Sequence, residues 1–197
     1  IRDTNRLLKD FGWYKGDTFA RWMKEQINKF SQKPELTFSE IKTLASKPGS
    51  KFRELHVVGT NLSTQFPSVY SAETTPDFPI WHAVRISMII PRFFARVKLP
   101  PNNQILVDGG VSWNYPIDLF DEKNYLFDPK AGEKPKYTTY DDNHIYNKET
   151  LGFRISTKDE IAAEKNSLQQ PPLEITDFFD YLKAFLGFIL DMANKVH

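Results

Sequence analysis

The sequence predicts an α/β domain. Segments whose apolar residues recur at helical spacing alternate with short apolar runs of the kind that form buried strands. Proline and glycine turn signals separate these segments. The 197 residues are enough to bury a core of ordinary size, and the content of 40% hydrophobic and 26% charged residues is typical of globular proteins.

Two helices are predicted in the first fifty residues. Asp17 can cap the first turn of a helix that runs to about Phe30. Thr37, followed three residues later by Glu40, is the capping-box pattern that begins a second, shorter helix. The apolar residues of the first helix fall on one stripe, which we expect to face the core: Phe19, Trp22, Met23, Ile27 and Phe30.

The middle of the chain is predicted to form a strand, a helix and a second strand. Glu54–Thr60 contains a short apolar run that predicts a buried strand. Asp77 and Pro79 mark the start of a helix that Pro91 ends. Ile105–Val107 predicts the second strand, which runs directly into a glycine turn.

The last third of the sequence has a different character. Residues 121–150 are polar and rich in turn signals, and predict a surface excursion, whereas Leu151–Ser156 predicts a further strand. Thr176 can cap a helix through about Lys195, whose wide apolar face is interrupted by charged residues that argue against a transmembrane span. We favour a helix docked on the domain over one lying on a membrane or partner, because its polar face is not rich in lysine and arginine.

Several kinds of chemistry are excluded by the composition and motifs. The sequence has no cysteine, so it can form no disulfide, thiol nucleophile or cysteine-ligated metal site. A net charge of +1 gives no general footprint for nucleic acid, and we expect no nucleic-acid partner. The P-loop and G-x-G-x-x-G patterns are absent, no serine lies in a G-x-S-x-G turn, and the four histidines are scattered, so we predict no metal and no cofactor.

The best local signal for chemistry is Asp108 with the two glycines that follow it. Asp108 directly follows the predicted strand Ile105–Val107 and leads into a turn made by Gly109 and Gly110. A carboxylate at the exit of a buried strand can act as a general base or orient one. Two glycines allow positive φ angles or the close approach of other backbone. The same three residues also suit a plain tight turn.

Four separate blocks of the sequence carry a resemblance to a known family. They are Tyr14–Ile27, Thr74–Pro91, Ile105–Asp121 and Asn147–Ser156. In this order and spacing they resemble bacterial patatin-like phospholipases, most specifically from Ser87-x-x-x-Pro91 to the D-G-G-x-x-x-N-x-P run that starts at Asp108. The resemblance implies a three-layer patatin-like fold, in which helices flank a central, mostly parallel sheet.

The resemblance also implies a division of the chain. Residues 1–160 would form the C-terminal portion of a patatin-like catalytic domain, with 121–150 as its surface excursion. Residues 161–197 would form a linker and a C-terminal amphipathic helix.

Patatin-like enzymes are lipid acyl hydrolases that use a serine–aspartate dyad and need no metal. The resemblance implies that Asp108 is the catalytic aspartate and that Gly109 and Gly110 shape its turn. The chain would then be part of an enzyme of the phospholipase A or lysophospholipase type. Four aromatic residues are candidates for an acyl pocket, although each suits core packing equally well: Phe93, Phe94, Trp113 and Tyr115.

The sequence departs from the family at the nucleophile. The family's oxyanion loop and G-x-S-x-G turn precede the part that aligns here, and both are absent from these 197 residues. Because residue 1 is isoleucine, we expect a cleaved or partial chain, complemented by an N-terminal segment that carries the serine, in preference to a natural truncation. The alternative function is a catalytically inactive lipid- or partner-binding module on the same fold. The expected partners are a lipid or phospholipid substrate and a membrane surface, and both the bacterial cytoplasm and secretion as an effector stay open.

Overall fold

The computed structural model divides the chain into two compact units, Ile1–Asn114 and Tyr115–His197. The structure describes residues 12–95, 97–99, 103–122, 125, 137–139, 145–153, 155, 158, 161–162 and 174–195. The predicted division at residue 160 stays a prediction.

The first unit mixes helices and strands, which confirms the α/β class. Its helices are α1 (Asp17–Ser31), α2 (Phe38–Ala45) and α3 (Ile80–Ser87). Its strands are β1 (Gly12–Tyr14), β2 (Val57–Asn61), β3 (Phe66–Tyr70), β4 (Arg92–Phe94), β5 (Val97–Leu99) and β6 (Gln104–Asp108). A 3-10 turn, Gly109–Val111, follows β6 directly.

The main sheet of the first unit is antiparallel rather than mostly parallel. Its four strands lie in the order β3-β2-β6-β5, and each neighbouring pair runs antiparallel. Four residues join β2 to β3, which is long enough for a hairpin and far too short for the crossover that a parallel pair needs. Parallel pairing occurs between β1 and β4, which form a separate two-stranded sheet. The expected strand direction therefore needs correction for the described residues.

The core of this unit lies between α3 and the main sheet. Phe38, Ile86, Ile89 and Leu106 are the largest apolar side chains that are completely buried. All five residues of β2 are buried, because the strand sits inside the sheet and α3 packs against it. Burial on both faces explains why β2 reads as a continuous run rather than an alternating one.

Helix α1 differs in two ways from its prediction. Gly16, and not Asp17, occupies the N-cap, with a left-handed φ of 75°, so Asp17 lies in the first turn instead. The expected core stripe is only half covered, since Ile27 packs against the core while Trp22 and Phe30 are 49% and 72% exposed. Because α1 has 15 residues and packs against α3, which has eight, the shorter helix cannot cover the full stripe.

The start of α2 confirms the capping box. The backbone N–H of Glu40 donates to Thr37 Oγ1 at 3.4 Å, and the Thr37 N–H donates to Glu40 Oε2 at 3.0 Å. Helix α3 begins after Pro79 as predicted, but it ends at Ser87, before Pro91.

The described part of the second unit contains a pair of antiparallel strands and a long helix. Strands β7 (Tyr137–Thr139) and β8 (Ile145–Asn147) pair antiparallel, and a 3-10 helix, Ile117–Phe120, packs against β8. Helix α4 (Phe178–Lys195) follows the Asp177 side chain, which accepts the Asp180 N–H at 2.7 Å.

The strand predicted at Leu151–Ser156 is wrong for the residues that the structure describes. Leu151, Phe153 and Ile155 are not in a strand and are 78%, 87% and 101% exposed. An apolar run needs a neighbouring strand to become one, and no strand pairs with these three residues in the described part of the second unit. Among the described helices, none is long and apolar enough to cross a bilayer.

Candidate functional site

Asp108 lies at the last position of β6, where the sheet passes into the 3-10 turn. Its backbone N–H donates to the Ile89 carbonyl at 3.0 Å, which ties the strand end to the segment after α3. Its carboxylate Oδ1 accepts the Gly110 N–H at 2.8 Å. The strand thus delivers a half-buried carboxylate that is held by its own turn, as the sequence predicts for this position.

Burial controls the charge of this carboxylate. Loss of hydration raises the pKa of Asp108, and the hydrogen bond from the Gly110 N–H lowers the same pKa by a smaller amount, so the net direction is upward. No lysine, arginine or histidine among the described residues forms an ion pair with Asp108. A carboxylate with a raised pKa is a stronger base than an exposed aspartate, which suits proton transfer.

The two glycines are required by close packing rather than by their φ angles. Among the described glycines only Gly16 and Gly49 have positive φ. A β carbon on Gly109 would lie 2.3 Å from the Val58 carbonyl oxygen in β2. One on Gly110 would lie 2.8 Å from Asn114 Oδ1 and 3.3 Å from Asp108 Oδ1. The turn therefore packs tightly against β2 on the side of Gly109 and against the side chains of Asn114 and Asp108 on the side of Gly110.

Two hydroxyl groups complete the site, and sequence reasoning missed both of them. Thr60 Oγ1 lies 2.7 Å from the Asp108 carbonyl oxygen and 2.8 Å from Ser112 Oγ. The Ser112 N–H donates to the Gly109 carbonyl at 3.1 Å. The available signal was a hydroxyl inside a run of buried strand residues, since a polar group in such a place needs a partner.

Two of the four predicted aromatic residues have described contacts within the first unit. Phe94 packs at the edge of the core and lines a shallow surface depression, with Arg85 and Ile89 among the other lining residues. The depression has no room for a molecule even as small as water, so it does not form a ligand pocket. Trp113 is half-buried, and its backbone N–H donates to the Gly109 carbonyl at 2.8 Å.

The described part of the first unit contains neither of the other two aromatic side chains. The side chain of Phe93 lies outside the described part of the structure. Tyr115 belongs to the second unit, where its hydroxyl lies against Gly152. All four aromatic residues therefore remain predictions as acyl-pocket residues.

The histidine nearest to the family motif lies in a stack of rings. His82 lies between Trp81 and Phe78, with ring centroids 4.8 Å and 5.0 Å away. Burial is the main cause that lowers the pKa of His82, so its neutral form is favoured. The described residues contain no group of three His, Cys, Asp or Glu side chains that could hold a metal ion.

A family model matches part of this chain, and known proteins are similar to parts of it. The family model described as "Patatin-like phospholipase" matches residues 2–121. The probable lipid hydrolase 463L of Invertebrate iridescent virus 6 is 37% identical over 65 residues, which cover 33% of this chain and 22% of that protein.

Two uncharacterized relatives match over longer segments. Protein R571 of Acanthamoeba polyphaga mimivirus is 32% identical over 116 residues, 59% of this chain and 35% of the relative. Protein YqhO of Bacillus subtilis is 30% identical over 139 residues, 64% of this chain and 44% of the relative. The chain thus spans less than half the length of each of these three relatives.

Proposed function

Because the chain belongs to the patatin-like phospholipase family, we propose that it supplies the aspartate of a serine–aspartate dyad that hydrolyses carboxylic esters of lipids. The observation that carries this proposal is the placement of Asp108, a half-buried carboxylate at a strand end with a raised pKa. Perturbed carboxylates of this kind are over-represented at catalytic sites. The relative from the iridescent virus, which is named a probable lipid hydrolase, agrees with a lipid ester as substrate.

The proposed reaction proceeds through an acyl-enzyme. The Asp108 carboxylate takes the proton from a serine hydroxyl as the serine oxygen attacks the ester carbonyl. The protonated Asp108 then gives that proton to the departing alcohol or lysolipid. In the second half, Asp108 takes a proton from water as the water oxygen attacks the acyl-enzyme carbonyl. The bond between the acyl group and the serine oxygen then breaks, Asp108 returns the proton to the serine oxygen, and the fatty acid is released. The net change is one ester and one water converted into one acid and one alcohol.

The serine of this dyad is proposed to lie outside these 197 residues. No serine of the sequence has a glycine two residues before and two residues after it, and Ser112 comes nearest, with Gly110 before it but Asn114 after it. A nucleophile elbow needs small residues at both places. We therefore assign the serine to an additional N-terminal segment. We propose a lipid or phospholipid as the substrate.

The test compares Asp108→Asn with Asp77→Asn in the full-length polypeptide that contains this chain. Asp77 is an exposed aspartate of the same unit and is the matched control. Fatty-acid release from phosphatidylcholine micelles and hydrolysis of 4-nitrophenyl butyrate are measured. We expect kcat of Asp108→Asn to fall about 10²- to 10⁴-fold, the usual contribution of a positioned base, while Asp77→Asn stays within about twofold.

Two outcomes would count against the proposal. Full activity of Asp108→Asn would show that Asp108 takes no part in the reaction. A full-length polypeptide that lacks the G-x-S-x-G turn and hydrolyses neither ester would indicate the alternative, an inactive lipid- or partner-binding module. The pH profile gives a second check, because the raised pKa of Asp108 predicts an acid limb of kcat/KM above the ~3.9 of an ordinary aspartate.

A further inference from the structure

Thr60 is a buried hydroxyl in the centre of the main sheet, directly beside the strand that ends in Asp108. It is only 3% exposed, and it lies in β2, whose five residues are all buried. In the antiparallel register Thr60 faces Val107, the residue before Asp108. A buried hydroxyl costs free energy unless it forms hydrogen bonds, so its partners indicate what it does.

The protons of this hydroxyl pair can be assigned from the acceptors. The Asp108 carbonyl can only accept, so Thr60 Oγ1, 2.7 Å away, donates its single proton there. Ser112 Oγ is 2.8 Å from Thr60 Oγ1 and therefore donates to it. The Gly109 carbonyl lies at 3.4 Å, which makes it the weaker acceptor. Ser112 thus donates a hydrogen bond to Thr60, and Thr60 donates one to the Asp108 carbonyl oxygen.

Asp108 is consequently held at three points by three different parts of the first unit. The Ile89 carbonyl accepts its N–H, Thr60 donates to its carbonyl, and the Gly110 N–H donates to its carboxylate. The Thr60 bond is formed where the β2–β6 pairing ends and the 3-10 turn begins. Rotation of the Asp108 peptide, which would turn the carboxylate, is opposed there by the hydroxyl.

We propose that Thr60, oriented by Ser112, is a positioning residue that sets the direction of the Asp108 carboxylate. This inference rests on the proposed function, since it assigns Thr60 a role in the step for which Asp108 is the base. A plain structural role is the competing explanation, and it predicts lost stability without a change in the chemical step.

The experiment uses Thr60→Val, Thr60→Ser and Ser112→Ala in the full-length polypeptide, with Asp108→Asn in the same assay. Valine keeps the shape of threonine but removes the hydroxyl, and serine keeps the hydroxyl. We expect Thr60→Val to lower kcat about 10- to 100-fold, the effect of a base displaced by up to ~1 Å, with KM within about twofold. Thr60→Ser should retain most of kcat, and Ser112→Ala should fall between the two.

Two further measurements separate positioning from stability. Thr60→Val should move the acid limb of the kcat/KM profile, because the Asp108 carboxylate changes its surroundings. Adding Thr60→Val to Asp108→Asn should leave the residual rate unchanged, since a positioning residue has nothing left to position. An additive further loss would indicate that Thr60 acts elsewhere and overturn the proposal.

The failures of the two proposals are distinguishable. If Asp108→Asn is fully active, the proposed function fails and this inference with it. If Asp108→Asn is inactive while folded Thr60→Val keeps the wild-type kcat and pH profile, only the role of Thr60 is overturned. If Thr60→Val does not fold, Ser112→Ala decides: a lowered kcat with unchanged KM supports the role, and wild-type kinetics contradict it.

Discussion

Gly109→Ala tests whether the turn that carries the carboxylate is fixed by contact with β2. The added β carbon would lie 2.3 Å from the Val58 carbonyl oxygen and 2.7 Å from the Val58 carbonyl carbon. Real β carbons do not approach such atoms closer than 3.0 Å, so 2.3 Å leaves a shortfall of 0.7 Å. The backbone of β2 cannot swing aside as a side chain could, because β2 is paired on both edges, with β3 and with β6.

The expected loss in the free energy of unfolding depends on whether the added β carbon clashes with backbone or with a side chain. Overpacking of a well-packed interior costs about 1–3 kcal/mol, and a clash with paired backbone belongs at the upper end, about 3 kcal/mol. At roughly 2–4 °C per kcal/mol for a chain of this length, the melting temperature should fall by about 6–12 °C. The m value should stay unchanged, because the folded core is otherwise the same.

Two matched variants make the test specific, and urea unfolding followed by far-UV circular dichroism measures all three. Gly49→Ala meets no atom within 4 Å but sits at a φ of 71°, so it should cost only the ~1–2 kcal/mol of a left-handed residue. The β carbon of Gly110→Ala would clash with the Asn114 side chain, which can move, so this variant should lose less free energy of unfolding than Gly109→Ala. The same β carbon should displace the Asp108 carboxylate. A free energy of unfolding for Gly109→Ala equal to that of Gly49→Ala would refute the steric reasoning.

Two further predictions concern the core and the charge of Asp108. Ile86 is completely buried, so Ile86→Ala should lower the free energy of unfolding by about 2–5 kcal/mol. Ile90 is 54% exposed, so Ile90→Ala should change the same free energy by less than ~0.5 kcal/mol in the same urea titration. Equal losses for the two variants would contradict the assignment of Ile86 to the core. Because burial raises the pKa of Asp108, the stability that this group contributes is present below its unfolded pKa of ~3.9 and is lost as the pH rises through its folded pKa. The stability of Asp108→Asn relative to the wild type should therefore increase as the pH rises above ~3.9 and level off above the folded pKa. A difference that is constant or decreases with pH would show that burial does not destabilise the charge.

The parts of the fold that the sequence predicted are those set by neighbours along the chain. Thr37 and Glu40 form their capping box three residues apart, so the local pattern was sufficient. The start of α1 was displaced by one residue because Gly16 adopts a left-handed φ that no pattern of side chains reveals. The run from Leu151 failed as a strand because strand formation depends on a partner elsewhere in the chain. The antiparallel direction of the main sheet likewise depends on pairing, not on composition.

The same distinction holds at the site. Asp108 was identifiable because strand, carboxylate and glycines are consecutive in sequence. Thr60 lies 48 residues before Asp108, and its role became visible only when the register of β2 and β6 brought the two together. The glycines were expected at the turn, but the reason for Gly109 is the Val58 carbonyl, which is also far away in sequence.

The energetics of Asp108 favour a functional role over a plain tight turn. A turn that only needed its Gly110 N–H capped could use an asparagine or serine oxygen without burying a charge. Here burial raises the pKa of the carboxyl, which disfavours its charged form, and among the described residues no cation offsets that cost. Hydrogen bonds from Thr60 and Gly110 nevertheless fix both the backbone and the carboxylate of this residue. A charge that the fold disfavours but orients at several points is the arrangement expected of a base whose direction matters for catalysis.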